Sequence, residues 1–336
     1  MGFNAETTAD EVIQGVDLSG KTVIVTGANS GIGFEAARAL ASAGAELIVT
    51  ARDRAKVEDT VARLREIVPR SNVQGVEMEL SSLASVRAAA DQIRQLAPAV
   101  HILINNAGIM FSPFERTKDG FESQFGVNHL GHFVLTGRLL PSLIAGAPAR
   151  VINVSSSAHM FSDILWDDVN WERTPYNKFI AYAQAKTANV LFSVELNRRL
   201  AGRGVRAFSL HPGGIPTNLL RFMGPDDFSG VGEAYKTIAT GEPNTYQMPM
   251  KTIPQGAATT VWAAVARELS DKGGQFLSDC QIAPPGRGDR VGYMPYAIDP
   301  ERAARLWAIS ENMTGERFPV TGLSPPSAGK PPSARA

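Results

Sequence analysis

The sequence predicts an α/β protein: a doubly wound parallel sheet of about seven strands, with helices on both faces. Three observations predict it. Short β-branched runs alternate with longer helical patterns over most of the chain, which implies right-handed crossovers and a sheet covered on both sides. The 336 residues are 44% hydrophobic and 20% charged, enough for a sizeable core and too apolar for wholesale disorder. A glycine-spaced turn joins the first strand to the first helix, as such sheets require at a strand-to-helix junction.

The strands follow in order. TVIVT at 22–26 is the first and ELIVT at 46–50 the second. The third covers 73–78, the fourth 101–104, the fifth (RVINV) 150–154 and the sixth 205–210, with a weaker seventh at 275–277. Helices are expected over 33–43, 55–67 and 83–97. In the last of these, Val86, Ala90, Ile93 and Ala97 recur at helical spacing. The length allows one large domain, read here as a single unit spanning 1–336. Residues 1–18 read as an N-terminal extension with a docked helix. Residues 222–254 break the alternation. They are rich in Gly, Pro, Met and aromatics (Phe222, Met223, Phe228, Tyr235, Tyr246, Met248, Met250) and read as an excursion that could cover a ligand. The tail 319–336 is Pro-rich, with Pro325-Pro326 and Pro331-Pro332, and is expected to be mobile at its end.

Bulk properties exclude several classes. Lys+Arg and Asp+Glu are both 33, so net charge is zero and nothing favours nucleic acid or an anionic membrane as partner. No apolar run reaches the ~18–20 residues that span a bilayer, and the first 20 residues do not resemble a secretory signal. The single cysteine, Cys280, forms no intrachain disulfide. A soluble cytoplasmic protein is the expectation. Nothing in the chain decides whether it forms a homo-oligomer.

Thr26-Gly27-Ala28-Asn29-Ser30-Gly31-Ile32-Gly33 follows the first strand and opens a helix. Glycines at this turn let backbone approach a pyrophosphate, and the helix N-terminus offers N–H groups and the positive end of its dipole. A tight turn that binds nothing is the competing reading. The spacing resembles the TGxxxGxG motif of the short-chain dehydrogenase/reductase family. The resemblance runs from about residue 20 to residue 280. Asn105-Asn106-Ala107-Gly108 stands as NNAG after the fourth strand, Asn128 lies in GVNH, and Ser155-Ser156-Ser157 follows the fifth strand. Tyr182-Ala183-Gln184-Ala185-Lys186 matches YxxxK, and His211-Pro212-Gly213-Gly214-Ile215-Pro216-Thr217 matches the PG…T segment. Each motif is modest alone. Their order behind successive strands is specific.

The resemblance implies a Rossmann fold that transfers hydride between a nicotinamide cofactor and a small-molecule carbonyl or alcohol. It implies a cofactor site of Gly27, Asn29, Ser30, Gly31, Ile32, Gly33, Arg52, Glu79, Leu80, Asn106, Ala107, Gly108, Tyr182, Lys186, Pro212, Gly213, Ile215 and Thr217. Glu79 stands where the family usually has aspartate. NAD-preferring members carry an acid at the end of the second strand. Here Ala51 takes that position and Arg52 follows, so NADP(H) is expected over NAD(H), because a guanidinium binds a 2′-phosphate that a carboxylate repels. Pairing of Arg52 with Asp53 or Glu58 at the surface is the plain alternative.

Tyr182 and Lys186 share one helical face. A phenol near its ordinary pKa of ~10 is a poor base, and a neighbouring ammonium favours its ionised form. The family's roles make Tyr182 the acid/base and Lys186 its partner, which also bonds the nicotinamide ribose. Ser156 steadies the substrate oxygen, with Ser155 as fallback, and Asn128 holds a relay water. His129 and His132 lie three apart without a third ligand, so no metal site is expected. His159 could line the substrate entrance, and His211 belongs to the loop after the sixth strand.

Tyr182 follows Ser156 by 26 residues, longer than in many classical members. The extra segment 164–178, ANVLF at 188–192 and FLSDC at 276–280 look like the branch similar to retinol dehydrogenases and the WW-domain-containing oxidoreductase. That branch often handles lipophilic alcohols and aldehydes, so a bulky hydrophobic substrate under 222–254 is expected. A non-catalytic NADP(H)-binding sensor is the alternative, and intact Tyr182 and Lys186 weigh against it.

Overall fold

The computed structural model describes residues 2–224, 227 and 235–318. Phe228 and the 319–336 tail lie outside the described residues. The strands are β1 (Thr22–Thr26), β2 (Glu46–Ala51), β3 (Val73–Glu77), β4 (Ile102–Asn105), β5 (Ala149–Val154), β6 (Val205–His211), β7 (Phe276–Ser278) and β8 (Gln281–Ile282). They form one sheet in the order β3-β2-β1-β4-β5-β6-β7-β8. Every pairing is parallel except β7 with β8. The reversal of winding between β1 and β4 opens a crevice at the carboxyl strand ends, the ligand position in open α/β sheets.

Strand residues alternate between two cores, as a pleat dictates. Val23, Val25, Leu47, Val49, Ile102 and Ile104 pack on one face with Leu40 of α2 (Gly31–Ser42) and Val261 of α8 (Ile253–Val265). Ile24, Ile48, Leu103 and Val151 pack on the other. There they meet Ile93 of α4 (Leu83–Leu96), Phe133 of α6 (Gly131–Ala145) and Leu196 of α7 (Lys178–Leu200). Burying a Leu, Ile or Val is worth roughly 1.5–3 kcal/mol, so this double-sided core fixes the sheet on which the crevice sits.

The sequence reading and the structure differ at the sheet edge. β8 adds an eighth strand of two residues, too short for a period-2 pattern to reveal. α1 (Ala9–Ile13) opens on a Thr8–Glu11 capping box, and its buried Ala9, Val12 and Ile13 join the core that holds α2 and α8. Before α6, the short α5 (Ser123–Phe125) passes into a π turn, Gly126–Leu130, which contains Asn128.

Candidate active site

A cleft of about 1150 Å³ runs over the carboxyl ends of the strands. At one end is the turn after β1. Gly27 (φ +65°) and Gly31 (φ +59°) adopt backbone that favours glycine. A Cβ on Gly33 would stand 2.3 Å from Asn106 Nδ2 and 2.6 Å from the Gly27 carbonyl oxygen, so the first turn of α2 packs directly on the loop. Asn106 Nδ2 in turn donates to the Thr26 carbonyl at 2.9 Å. Ser30, the N-cap of α2, makes no side-chain cap hydrogen bond, and the first turn carries no acid. The helix therefore presents free N–H donors and its positive end to the cleft. That donor set fits a pyrophosphate.

Beyond β2, Arg52 and Lys56 line the cleft, and no acid stands at Ala51. Arg52 is largely exposed, and its Nε is 3.7 Å from Asp53, a loose contact. Asp53 accepts the first-turn amide of α3 (Arg54–Ile67) and holds Lys56 Nζ at 2.5 Å. Lys56 escaped the sequence reading, although its place one turn after Arg52 could have revealed it. Glu79 and Leu80 border the cleft after β3, with Glu79 Oε1 accepting from the Ser81 amide at 3.0 Å.

At the other end, α7 opens on Asn177, whose side chain accepts from the Phe179 and Ile180 amides, and runs on through an Ala-rich stretch. Tyr182 and Lys186 are both buried and line the cleft. Lys186 Nζ donates to the Val154 carbonyl at 3.0 Å and lies 5.5 Å from the centre of the Tyr182 ring. Burial lowers the Lys186 ammonium to about 8 and raises the Tyr182 phenol above its ordinary value, while the Ser156 side chain works against that rise. The two serines separate by geometry. Ser155 Oγ donates to the Lys186 carbonyl at 2.7 Å and is committed to the helix backbone. Ser156 Oγ accepts from the Ala158 amide at 3.1 Å and faces the phenol.

Asn106, Ala107 and Gly108 line the cleft after β4, and Pro212, Gly213, Ile215 and Thr217 after β6. Asn29, Ile32 and the remaining cofactor positions read from the sequence also border it. Asn128 does not. It is fully buried, its Oδ1 accepting from the Ile109 amide at 2.8 Å and its Nδ2 donating to the Ile109 carbonyl at 2.9 Å. Its side chain thus fixes the loop after β4. Beside it, Thr26 Oγ1 accepts from the Asn106 and Ala107 amides at 2.9 and 3.0 Å, so its own hydrogen points to His132 Nε2 at 2.9 Å. His132 then carries its proton on Nδ1 and donates to the Asn128 carbonyl at 3.1 Å. Sequence spacing gives no sign of that strut.

His159 differs from the expectation. It is wholly buried beneath Ser156, donates from Nδ1 to the Ser156 carbonyl at 2.6 Å, and packs on Phe276. His129 bonds Ser310 instead of sharing a ligand with His132. His211, the last residue of β6, accepts the Ser157 amide on Nδ1 at 3.0 Å.

The wall beside Tyr182 is apolar. Phe111 meets Tyr182 edge-on at 5.1 Å and Phe179 at 4.8 Å, and Phe161 stacks on Tyr235 at 3.8 Å. Met110, Phe111, Met160 and Phe161 were absent from the sequence reading, although Met110 and Phe111 lie two and three residues past the NNAG turn. Phe222, Met223, Tyr235, Tyr246, Met248 and Met250 of the excursion also border the cleft.

A glycine turn at the switch point of a parallel sheet, with tyrosine and lysine one helical turn apart across the cleft, defines a nucleotide-dependent oxidoreductase scaffold. The short chain dehydrogenase family model matches residues 21–227. The chain is 41% identical to human retinol dehydrogenase 13, covering 92% of this chain and 88% of that protein. It is 39% identical to the WW domain-containing oxidoreductase of Pongo abelii, covering 94% of this chain and 73% of that one. A solved structure of an uncharacterized protein from Mycobacterium paratuberculosis superposes with a TM-score of 0.70 at 36% identity, over 94% of this chain and 99% of that one. The chain belongs to the short-chain dehydrogenase family, whose members are oxidoreductases that bind a nicotinamide cofactor. No helix of the described residues is long and apolar enough to cross a membrane.

Proposed function

We propose that this protein is an NADP(H)-dependent oxidoreductase acting on a bulky, apolar carbonyl or alcohol. The observation that carries the reading is the polarity of one cleft. Arg52 and Lys56 border it near the α2 N-terminus, and Tyr182 with Lys186 and Ser156 meets an aromatic and methionine wall at its other end. When bound, the nicotinamide gives or takes the hydride. In reduction, Tyr182 donates its proton to the carbonyl oxygen, and Ser156 donates a hydrogen bond that steadies the charge growing there. Lys186, still largely an ammonium at neutral pH, supports the phenolate that remains. Asn128 and His132 hold the loop that floors the site. Phe161 covers the substrate together with Met223, Tyr235, Tyr246 and Met248, which act as its lid. The retinol dehydrogenase relatives support a lipophilic alcohol or aldehyde.

The test is NADPH consumption by the purified protein, with NADH as control, across aldehydes and ketones of increasing size. Turnover that favours NADPH and rises with apolar bulk is expected. NADPH bound tightly but consumed with none of them would replace this reading with the sensor. Tyr182→Phe should lower kcat by roughly 10²–10⁴-fold while NADPH still binds, and ordinary turnover would remove Tyr182 from the acid/base role. Arg52→Asp should shift preference toward NADH. An unchanged ratio would take Arg52 out of the 2′-phosphate site.

A further inference from the structure

After β6 the chain passes Thr217 and winds into a 3₁₀ turn, Asn218–Phe222. Thr217 sits on the glycine turn: a Cβ on Gly31 would lie 3.3 Å from its Cγ2. The turn thereby hangs over the N-terminus of α2, and Arg221 lines the same cleft as Arg52. The two arginines arrive from opposite halves of the sheet, one after β2 and one after β6. Among the described residues Arg221 pairs with no carboxylate. Its Nη1 donates only to the Asn218 carbonyl of its own turn at 3.0 Å, and its guanidinium lies over Phe222. Arg52 has only its loose contact with Asp53. Burial, and after it the charge of Arg52, lower the Arg221 guanidinium from its ordinary value. Two like charges held near one another without an acid between them are a cost unless an anion joins them.

We propose that Arg221 is a cofactor-binding residue that works with Arg52, gripping a phosphate group of the dinucleotide from the side opposite β2. This rests on the nicotinamide-cofactor reading above and adds the second wall of its anion site. A planar guanidinium with several donors suits a phosphate better than an ammonium does. Arg221 also joins phosphate capture to the segment that begins the substrate cover, because Phe222 and Met223 follow it directly. Two phosphates are within the chemistry of the pair: the 2′-phosphate that distinguishes NADPH, and the bridging pyrophosphate common to both cofactors.

The experiment measures binding, not turnover. The cofactor-free protein and its Arg221→Met and Arg221→Lys variants are titrated calorimetrically with NADPH, NADH and 2′,5′-ADP. Circular dichroism and melting serve as fold controls. An exposed side chain bonded only to its own turn should leave both unchanged. Arg221→Met is expected to weaken NADPH binding by roughly tenfold or more, and Arg221→Lys to recover only part of it. Loss confined to NADPH and 2′,5′-ADP supports a grip on the 2′-phosphate. Equal loss with NADPH and NADH supports the same grip on the pyrophosphate. Unchanged affinities for all three would overturn the proposal. Wild-type protein that binds NADH as well as NADPH would remove the NADP(H) preference and leave the Arg221 comparison readable on NADH.

Discussion

At the scale of single residues, the site depends on which polar atoms are free and which are spent. Ser155 and Ser156 are neighbours of identical chemistry, yet one hydroxyl is bound to the Lys186 carbonyl and the other faces Tyr182. They should therefore fail differently. Ser156→Ala removes a hydrogen bond to developing charge and should cost kcat on the order of 10²–10³-fold, besides about 0.5–2 kcal/mol for the cap on the Ala158 amide. Ser155→Ala removes a second hydrogen bond from a helix carbonyl that keeps its own backbone donor, and should cost stability, about 0.5–1.5 kcal/mol, rather than kcat. Kinetics and thermal melts on both variants check this, and a kcat loss of equal size in the two would erase the distinction. The sequence allowed both serines because adjacency in an SSS run carries no direction. It could not reveal the buried roles of Asn128 and His132 either, since an amide or imidazole that braces a loop looks in sequence like one that faces a ligand. Tyr182 and Lys186 were legible because four-residue spacing on a helix already puts them on one face.

At the scale of elements, the junction between β1 and α2 is the most constrained part of the cleft. Gly33 begins no left-handed turn; it is glycine because Asn106 and the Gly27 carbonyl occupy the space a methyl would need. Gly33→Ala must push α2 away from the loop after β4, moving the N–H donors that would meet a pyrophosphate. The expected result is a folded protein whose dinucleotide affinity falls at least tenfold, read by calorimetry. Wild-type affinity would mean the junction tolerates that shift. This junction was readable from the sequence as a glycine-spaced turn, and so were the seven parallel strands, because β-branched runs between helical patterns leave few alternatives. The π turn at Gly126–Leu130 was not readable. Its residues, Gly-Val-Asn-His-Leu, carry the periodicity of any buried helix, and the change in winding comes from tertiary contacts such as Asn128 with Ile109. β8 was missed for a different reason: its two residues are exposed and pair only because the left-handed Asp279 and Cys280 turn the chain back. The contacts of Tyr235 with Phe161 and Phe179 were not readable, because no spacing encodes where that ring is placed.

At the scale of the whole molecule, the chain has five histidines, and four of them are buried without charge. His129 and His211 are lowered to about 3, and His132 and His159 to about 4, each mainly because burial penalises the imidazolium. Their hydrogen bonds agree with that. His132 Nε2 must accept from Thr26, and His211 Nδ1 must accept from Ser157, so a second proton on either ring would break a bond to the loops of the cleft. Because the folded pKa values lie below the unfolded value near 6.5, the unfolded chain takes up these protons first. Stability is then intact above pH 6.5 and is lost as pH falls toward 4. At pH 5 each ring costs about 2 kcal/mol, and four of them approach the ~5–15 kcal/mol that holds a typical domain together. Glu122 works the other way, since burial raises its carboxyl, but it is one group against four. Melting temperature should therefore fall steeply between pH 6.5 and 5. Replacing His129 with glutamine, which can keep a bond to Ser310 without titrating, should flatten that slope by about a quarter. A melting temperature that holds level down to pH 5 would show that the buried rings find proton acceptors as the protein acidifies. In that case the acid limit would have to come from the carboxylates instead.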